Sequence, residues 1–67
     1  MFEFLITAFV CTPDFTQCSG PYQRIAEHAS VERCVEDEAM ALAEAVRATV
    51  DGDFVVLIKC DYTSPGV

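Results

Sequence analysis

Apolar and polar side chains alternate along residues 2–11, and this alternation predicts the first β-strand. One side of the segment is entirely apolar and consists of Phe2, Phe4, Ile6, Ala8 and Val10. The other side is mixed and consists of Glu3, Leu5, Thr7, Phe9 and Cys11. Successive side chains of a strand point to opposite faces of the sheet, so we expect one face to be buried and the other to be partly exposed.

The next segment is dominated by residues that favour turns. Residues 12–21 contain Pro13, Asp14, Ser19, Gly20 and Pro21 and are predicted to form a loop. Residues 22–28 show no clear period. We favour a short edge strand there, because a structureless connection running on to the helix would be unusually long for so small a domain.

Residues 31–50 carry a helical pattern. Their apolar positions recur every three or four residues, at Val31, Val35, Ala39, Leu42, Val46 and Val50. Ser30 is suited to the N-cap, and Gly52 is suited to a left-handed residue that ends the helix.

Residues 53–62 alternate again and predict a second strong strand, while residues 62–67 are expected to form a flexible tail. Phe54, Val56, Ile58, Cys60 and Tyr62 share one face of that strand. Val55, Leu57, Lys59 and Asp61 share the other.

These elements predict a single α+β domain over residues 1–67, with β-β-α-β order and one helix packed on a two- or three-stranded sheet. The two strong strands are expected to lie together in the middle. If residues 22–28 form a strand, the last strand runs parallel to it and antiparallel to the first. If they form a loop, the two strong strands are parallel. We favour the first arrangement.

The two topologies place the four cysteines differently. The favoured one brings Cys34 to Cys60 and Cys11 to Cys18, so that one disulfide joins the helix to the sheet and the other closes a short ring. The other topology gathers all four sulfurs at one end, which favours Cys11–Cys60 or a metal site.

The length and the net charge of the chain exclude several classes of function. The chain has 67 residues and a net charge of −7, so it is too short for a multi-domain enzyme and its charge repels nucleic-acid phosphates and anionic membranes. We expect no cleaved signal peptide, because Glu3 stands where a positive segment is needed. This favours the cytoplasm slightly, although the cysteines would suit an oxidising compartment.

Candidate chemistry is sparse. The cysteine spacings lack the close pairs of structural zinc sites, and there is no Cys-x-x-Cys motif, Gly-rich phosphate loop or Ser-His-Asp arrangement. We expect residues 36–38 (Glu-Asp-Glu) to form a solvated helical face and His28 to be a surface residue or part of the capping region. The sequence therefore predicts no enzyme activity and no cofactor. A zinc-binding or thiol-redox cysteine protein is the alternative.

Two short segments carry a resemblance. The helix opening at residues 30–34 (Ser-Val-Glu-Arg-Cys) and the last strand at residues 55–60 (Val-Val-Leu-Ile-Lys-Cys) are similar to those of short uncharacterised bacterial and phage-encoded proteins with four cysteines. The resemblance covers about two thirds of the chain and implies a small accessory protein.

Two surfaces could bind a partner. The sheet face away from the helix is expected to expose Leu5, Phe9, Val55, Leu57 and Lys59. The helix carries an acidic face of Glu32, Glu36, Asp37 and Glu44. We predict an interaction protein, an accessory factor of a phage or mobile element that binds and modulates a host protein, or a homodimer. The alternative is that the tail or the loop around Phe15 covers the sheet face.

Overall fold

The strand and helix order of the chain is β-β-α-β, as predicted. The computed structural model describes residues 1–63. It contains β1 (Phe2–Cys11), β2 (Cys18–His28), α1 (Val31–Arg47) and β3 (Val55–Tyr62). The three strands form one sheet in the order β2-β1-β3, and the helix packs against it, so the chain is a small α+β fold.

The sheet has the favoured topology. β1 is antiparallel to both of its neighbours, which makes β2 and β3 parallel to each other. The two strong strands are paired, as expected, but only β1 is central and β3 lies at an edge.

β2 begins at Cys18, so the predicted loop over residues 12–21 is too long by several residues. Cys18 lies opposite Cys11 in the register and is bonded to it, which lets the strand start directly after a short turn. Position 20 requires glycine for two reasons. Its φ of +124° is readily accessible only to glycine, and an added Cβ would lie 2.8 Å from the carbonyl oxygen of Ala8.

The helix begins where the capping residue predicts and ends earlier than its apolar pattern suggests. The Ser30 hydroxyl accepts a hydrogen bond from the Arg33 amide at 3.2 Å. At the other end, the amides of Thr49 and Val50 both donate to the carbonyl of Val46, which closes a turn after Arg47. Gly52 has φ +99° but lies beyond this closure.

The core is small and lies between β1 and the first half of the helix. Phe4, Ile6 and Cys34 form its buried centre. The residues packed around it are Ala26, Val31, Ile58 and Cys60.

The last strand ends at Tyr62, as its alternation predicts, so the tail expected over residues 62–67 does not include this residue. Tyr62 belongs to β3, and its ring lies 4.8 Å from that of Phe4, centroid to centroid. The Thr63 hydroxyl donates to the Glu3 carboxylate at 2.6 Å. Residues 64–67 lie outside the described residues.

Both predicted disulfides are present. Cys34–Cys60 joins the helix to β3 across a Cα–Cα distance of 6.4 Å, and Cys11–Cys18 closes the turn between β1 and β2. Their sequence separations are 26 and 7 residues. A longer closed loop restricts the unfolded chain more, so Cys34–Cys60 should stabilise the fold more strongly.

We expect the double variant Cys34→Ala/Cys60→Ala to lose about 3.5 kcal/mol of unfolding free energy, and Cys11→Ala/Cys18→Ala to lose about 2.5 kcal/mol. The larger loss reflects the longer loop that the first bond closes. Urea unfolding followed by far-ultraviolet circular dichroism measures both. An equal or smaller loss for the Cys34/Cys60 variant would contradict this ranking.

Candidate interaction surface

α1 covers one face of the sheet. The side chains on the opposite face alternate along each strand with the buried ones, and we call this uncovered surface the open face. The strand register brings predicted members of this face side by side. Phe9 lies opposite Leu57, Thr7 opposite Lys59, and Cys11 opposite Val55. Leu5 lies on the same side of β1, so all five predicted residues belong to one surface.

The open face carries a group of apolar side chains that are partly exposed. Leu57 is 42% exposed, while Leu5, Phe9 and Val55 are partly buried. The ring of Phe15, which could have covered this face, is more than half exposed in its turn. Apolar side chains grouped in this way on so small a protein are typical of an interaction surface.

Sequence reasoning missed one member of the open face. Ile25 lies opposite Leu5 on the neighbouring strand and is 59% exposed. The available signal was its alternation with Ala26, which packs against the core. That signal was weak because residues 22–28 show no extended alternation.

One end of the open face is acidic. Glu3 and Glu27 lie directly opposite each other on β1 and β2. Asp61 of β3 lies opposite Leu5, which is the next residue of β1 on this face after Glu3. Lys59 approaches Asp61, with Nζ 3.8 Å from Oδ2. Like charges opposite each other weaken a strand pair slightly, so a cationic neighbour would be favourable here.

The acidic helix residues lie at the surface. Glu32, Glu36, Asp37 and Glu44 are all exposed. Arg33 comes within 3.9 Å of the Glu36 carboxylate, a distance at which exposed ion pairs contribute little to stability.

Glu38 contradicts the prediction that residues 36–38 are solvated. It is only 6% exposed and lies on the side of α1 that faces β2. Arg24 of β2 donates to both of its carboxylate oxygens, through Nε to Oε1 at 2.8 Å and through Nη2 to Oε2. The helical spacing explains this position, since Cys34 and Glu38 are one turn apart and are the two buried residues of the helix.

His28 completes this polar cluster and is not a freely solvated residue. Its Nε2 lies 2.9 Å from Glu38 Oε2, where Nε2–H donates to the carboxylate. Its Nδ1 lies 3.6 Å from Asp37 Oδ2. The side chain is largely buried, so the cluster ties the end of β2 to the helix.

The contact between Arg24 and Glu38 shifts the pKa values of both residues. The hydrogen bonds from Arg24 are the main reason that the pKa of Glu38 lies below its ordinary value, and the hydrogen bond from His28 acts in the same direction. Burial opposes these effects only in part. Glu38 correspondingly raises the pKa of Arg24.

A cavity of about 290 Å³ lies next to this cluster, between α1 and the sheet. Its lining is mainly apolar and consists of Ile6, Ala8, Tyr22, Gln23, Arg24, Glu38, Ala41, Leu42 and Ile58. Ala8 of β1 and Ala41 of the helix are the smallest side chains of this lining.

The two disulfides use all four cysteine sulfurs. In this state no cysteine supplies the thiolate that a zinc ligand or a redox nucleophile requires. Within residues 1–63, no group of three or more His, Cys, Asp or Glu side chains is arranged to hold a metal ion.

Comparisons with protein families, curated proteins and solved structures find no match for this chain. In the described residues, the helix is too short and too polar to cross a membrane.

We expect Glu38→Gln to reduce the unfolding free energy at pH 7 by about 1–2 kcal/mol, because a charge-assisted hydrogen-bond network is weakened. The lowered pKa of Glu38 stabilises the fold above the ordinary value of 4.5, and this contribution is lost as pH falls through the lowered pKa. The difference between wild type and variant should therefore shrink at low pH. Urea unfolding over this pH range measures it.

The matched control is Glu36→Gln, which removes an exposed carboxylate from the same helix. Its effect at pH 7 should be small. Parallel pH profiles for wild type and the Glu38 variant would show that the Glu38 charge contributes nothing to stability.

Proposed function

We propose that this protein is a non-enzymatic accessory factor that binds a partner protein through the open face and modulates its activity. The main support is the cluster of partly exposed apolar side chains around Leu57 and Phe9. It lies on the side of the sheet that the only helix of residues 1–63 does not cover. Burying such side chains against a partner is favourable by about 25 cal/mol for each Å² of apolar surface.

The charge distribution specifies the partner further. The open face ends at Glu3, Glu27 and Asp61, and the whole chain carries a net charge of −7. A partner surface with an apolar centre and Lys or Arg at one side would be complementary. Such complementarity mainly accelerates association, and salt weakens it.

A role in modulation, and an origin in a phage or mobile element, belong to the same proposal. Support comes from the small size and the resemblance of residues 30–34 and 55–60 to short four-cysteine proteins of that kind. A host protein whose own site is basic would be inhibited by an acidic protein bound over it.

The test compares capture of host proteins by immobilised wild type and by Leu57→Asp, alone and with Phe9→Asp. An aspartate at the centre of the open face should abolish capture, because its charge would be buried on binding. Leu57→Asp alone is the milder change, since this side chain is already exposed. Circular dichroism checks that each variant is folded.

Met40→Asp is the matched control, because Met40 is 65% exposed on the helix. It should retain capture of the same protein, and adding the purified wild type should change that protein's activity. Equal capture by the Leu57 variant, or a partner whose activity does not change, would contradict the proposal.

The alternative, a zinc-binding or thiol-redox protein, requires at least one disulfide to be open. Native mass spectrometry of protein purified without reductant separates the two states. We expect a mass lower than that of the reduced chain by four hydrogen atoms, two for each bond. A zinc adduct that is lost in acid would instead favour the metal-binding alternative.

A further inference from the structure

β2 offers a long strand edge to solvent. In the sheet of residues 1–63, β2 pairs with β1 on one side only, and every residue of the strand is exposed except Ala26 and His28, which are partly buried. An edge strand presents unpaired backbone amide and carbonyl groups, which can pair with a strand of another molecule.

The second half of β2 carries few of the devices that usually prevent such pairing, with Glu27 as the charged side chain on its open-face side. Pro21 and the register shift between Ala8 and Val10 affect only its first half. Residues 22–28 contain no lysine, and the guanidinium of Arg24 is held by Glu38 of its own chain. The edge strand β3, by contrast, carries Lys59, whose side chain is 76% exposed.

We infer that β2 is a homodimer interface, at which two copies pair their β2 strands antiparallel around a twofold axis at Ile25. The two sheets would join into one six-stranded sheet with both helices on the same side. A twofold axis makes the same surface contact itself, so the strand must be complementary to its own reverse.

The sequence of β2 meets this condition when Ile25 is at the centre. Ile25 then lies opposite Ile25 of the second copy, and Gln23 lies opposite Glu27 of the second copy, where an amide donates to a carboxylate. On the helix side, Arg24 lies opposite Ala26. Moving the axis to residue 24 would place two Arg24 side chains opposite each other, and moving it to residue 26 would place Ile25 opposite Glu27 and lose the Ile25 pair.

The dimer also extends the open face. Leu5 lies opposite Ile25 within each chain, so the pairing creates a continuous apolar row from Leu5 to Leu5 of the second copy. Ile25 is 59% exposed in the single chain, and formation of this row would bury it.

Charge sets the conditions under which the dimer forms. Each chain carries −7, so the two copies repel each other over a distance that salt shortens. Self-association should therefore tighten with added salt, whereas binding of a basic partner to the open face should weaken.

Sedimentation equilibrium of wild type between about 10 µM and about 1 mM should show the mass rising towards twice 7.4 kDa. The dissociation constant should be lower in about 500 mM than in about 20 mM sodium chloride. Ile25→Lys places two like charges at the axis and should raise the dissociation constant by at least about tenfold. The control Met40→Lys adds the same charge on the helix and should still dimerise.

Cysteine trapping tests the register. Ile25→Cys in the folded, oxidised protein should form a disulfide-linked dimer on mild oxidation, because the two side chains meet at the axis. Met40→Cys and Leu57→Cys should not. A monomer throughout the concentration range, or a dimer that Leu57→Cys traps and Ile25→Cys does not, would overturn the inference. Partner capture by such a protein would leave the proposed function standing.

Discussion

The attachment of a single helix to one side of a three-stranded sheet is the constraint on which this structure depends. The fully buried centre contains little more than Phe4, Ile6 and Cys34, which is a small core for holding two layers together. The Cys34–Cys60 disulfide compensates, because it joins α1 to β3 and restricts the unfolded chain between them. Cys34 is thus a core residue and a covalent link at once.

A second attachment holds the helix to the opposite edge of the sheet. Glu38 lies one turn after Cys34 and accepts hydrogen bonds from Arg24 and His28 of β2. The disulfide on the β3 side and the polar cluster on the β2 side fix the helix across the sheet. This arrangement explains how a carboxylate can occupy the buried side of a helix, since its charge is compensated by fixed partners.

Within residues 1–63, two surfaces of the sheet have no covering or pairing element. One helix can cover one sheet face, so the side with Phe9 and Leu57 remains partly open. A sheet that does not close leaves edges, and the edge of β2 is the less protected. Ile25 adjoins Leu5, and a polar row that includes Thr7 and Lys59 separates them from Phe9 and Leu57. Self-association and partner binding would therefore use neighbouring parts of the same sheet.

Local patterns determined the fold class, the bounds of β1, the start of α1 after Ser30 and the faces of β3, because alternation and capping act within a few residues. Cysteine placement in the favoured topology also determined both disulfides. Only the tertiary structure decided that β2 starts at Cys18, that the helix closes at Val46 and that Glu38 is buried. The start of β2 depends on its pairing with β1, and the burial of Glu38 depends on Arg24 and His28 of β2, which are distant from it in sequence. The helix end is local, but the apolar pattern continues past it and does not reveal it.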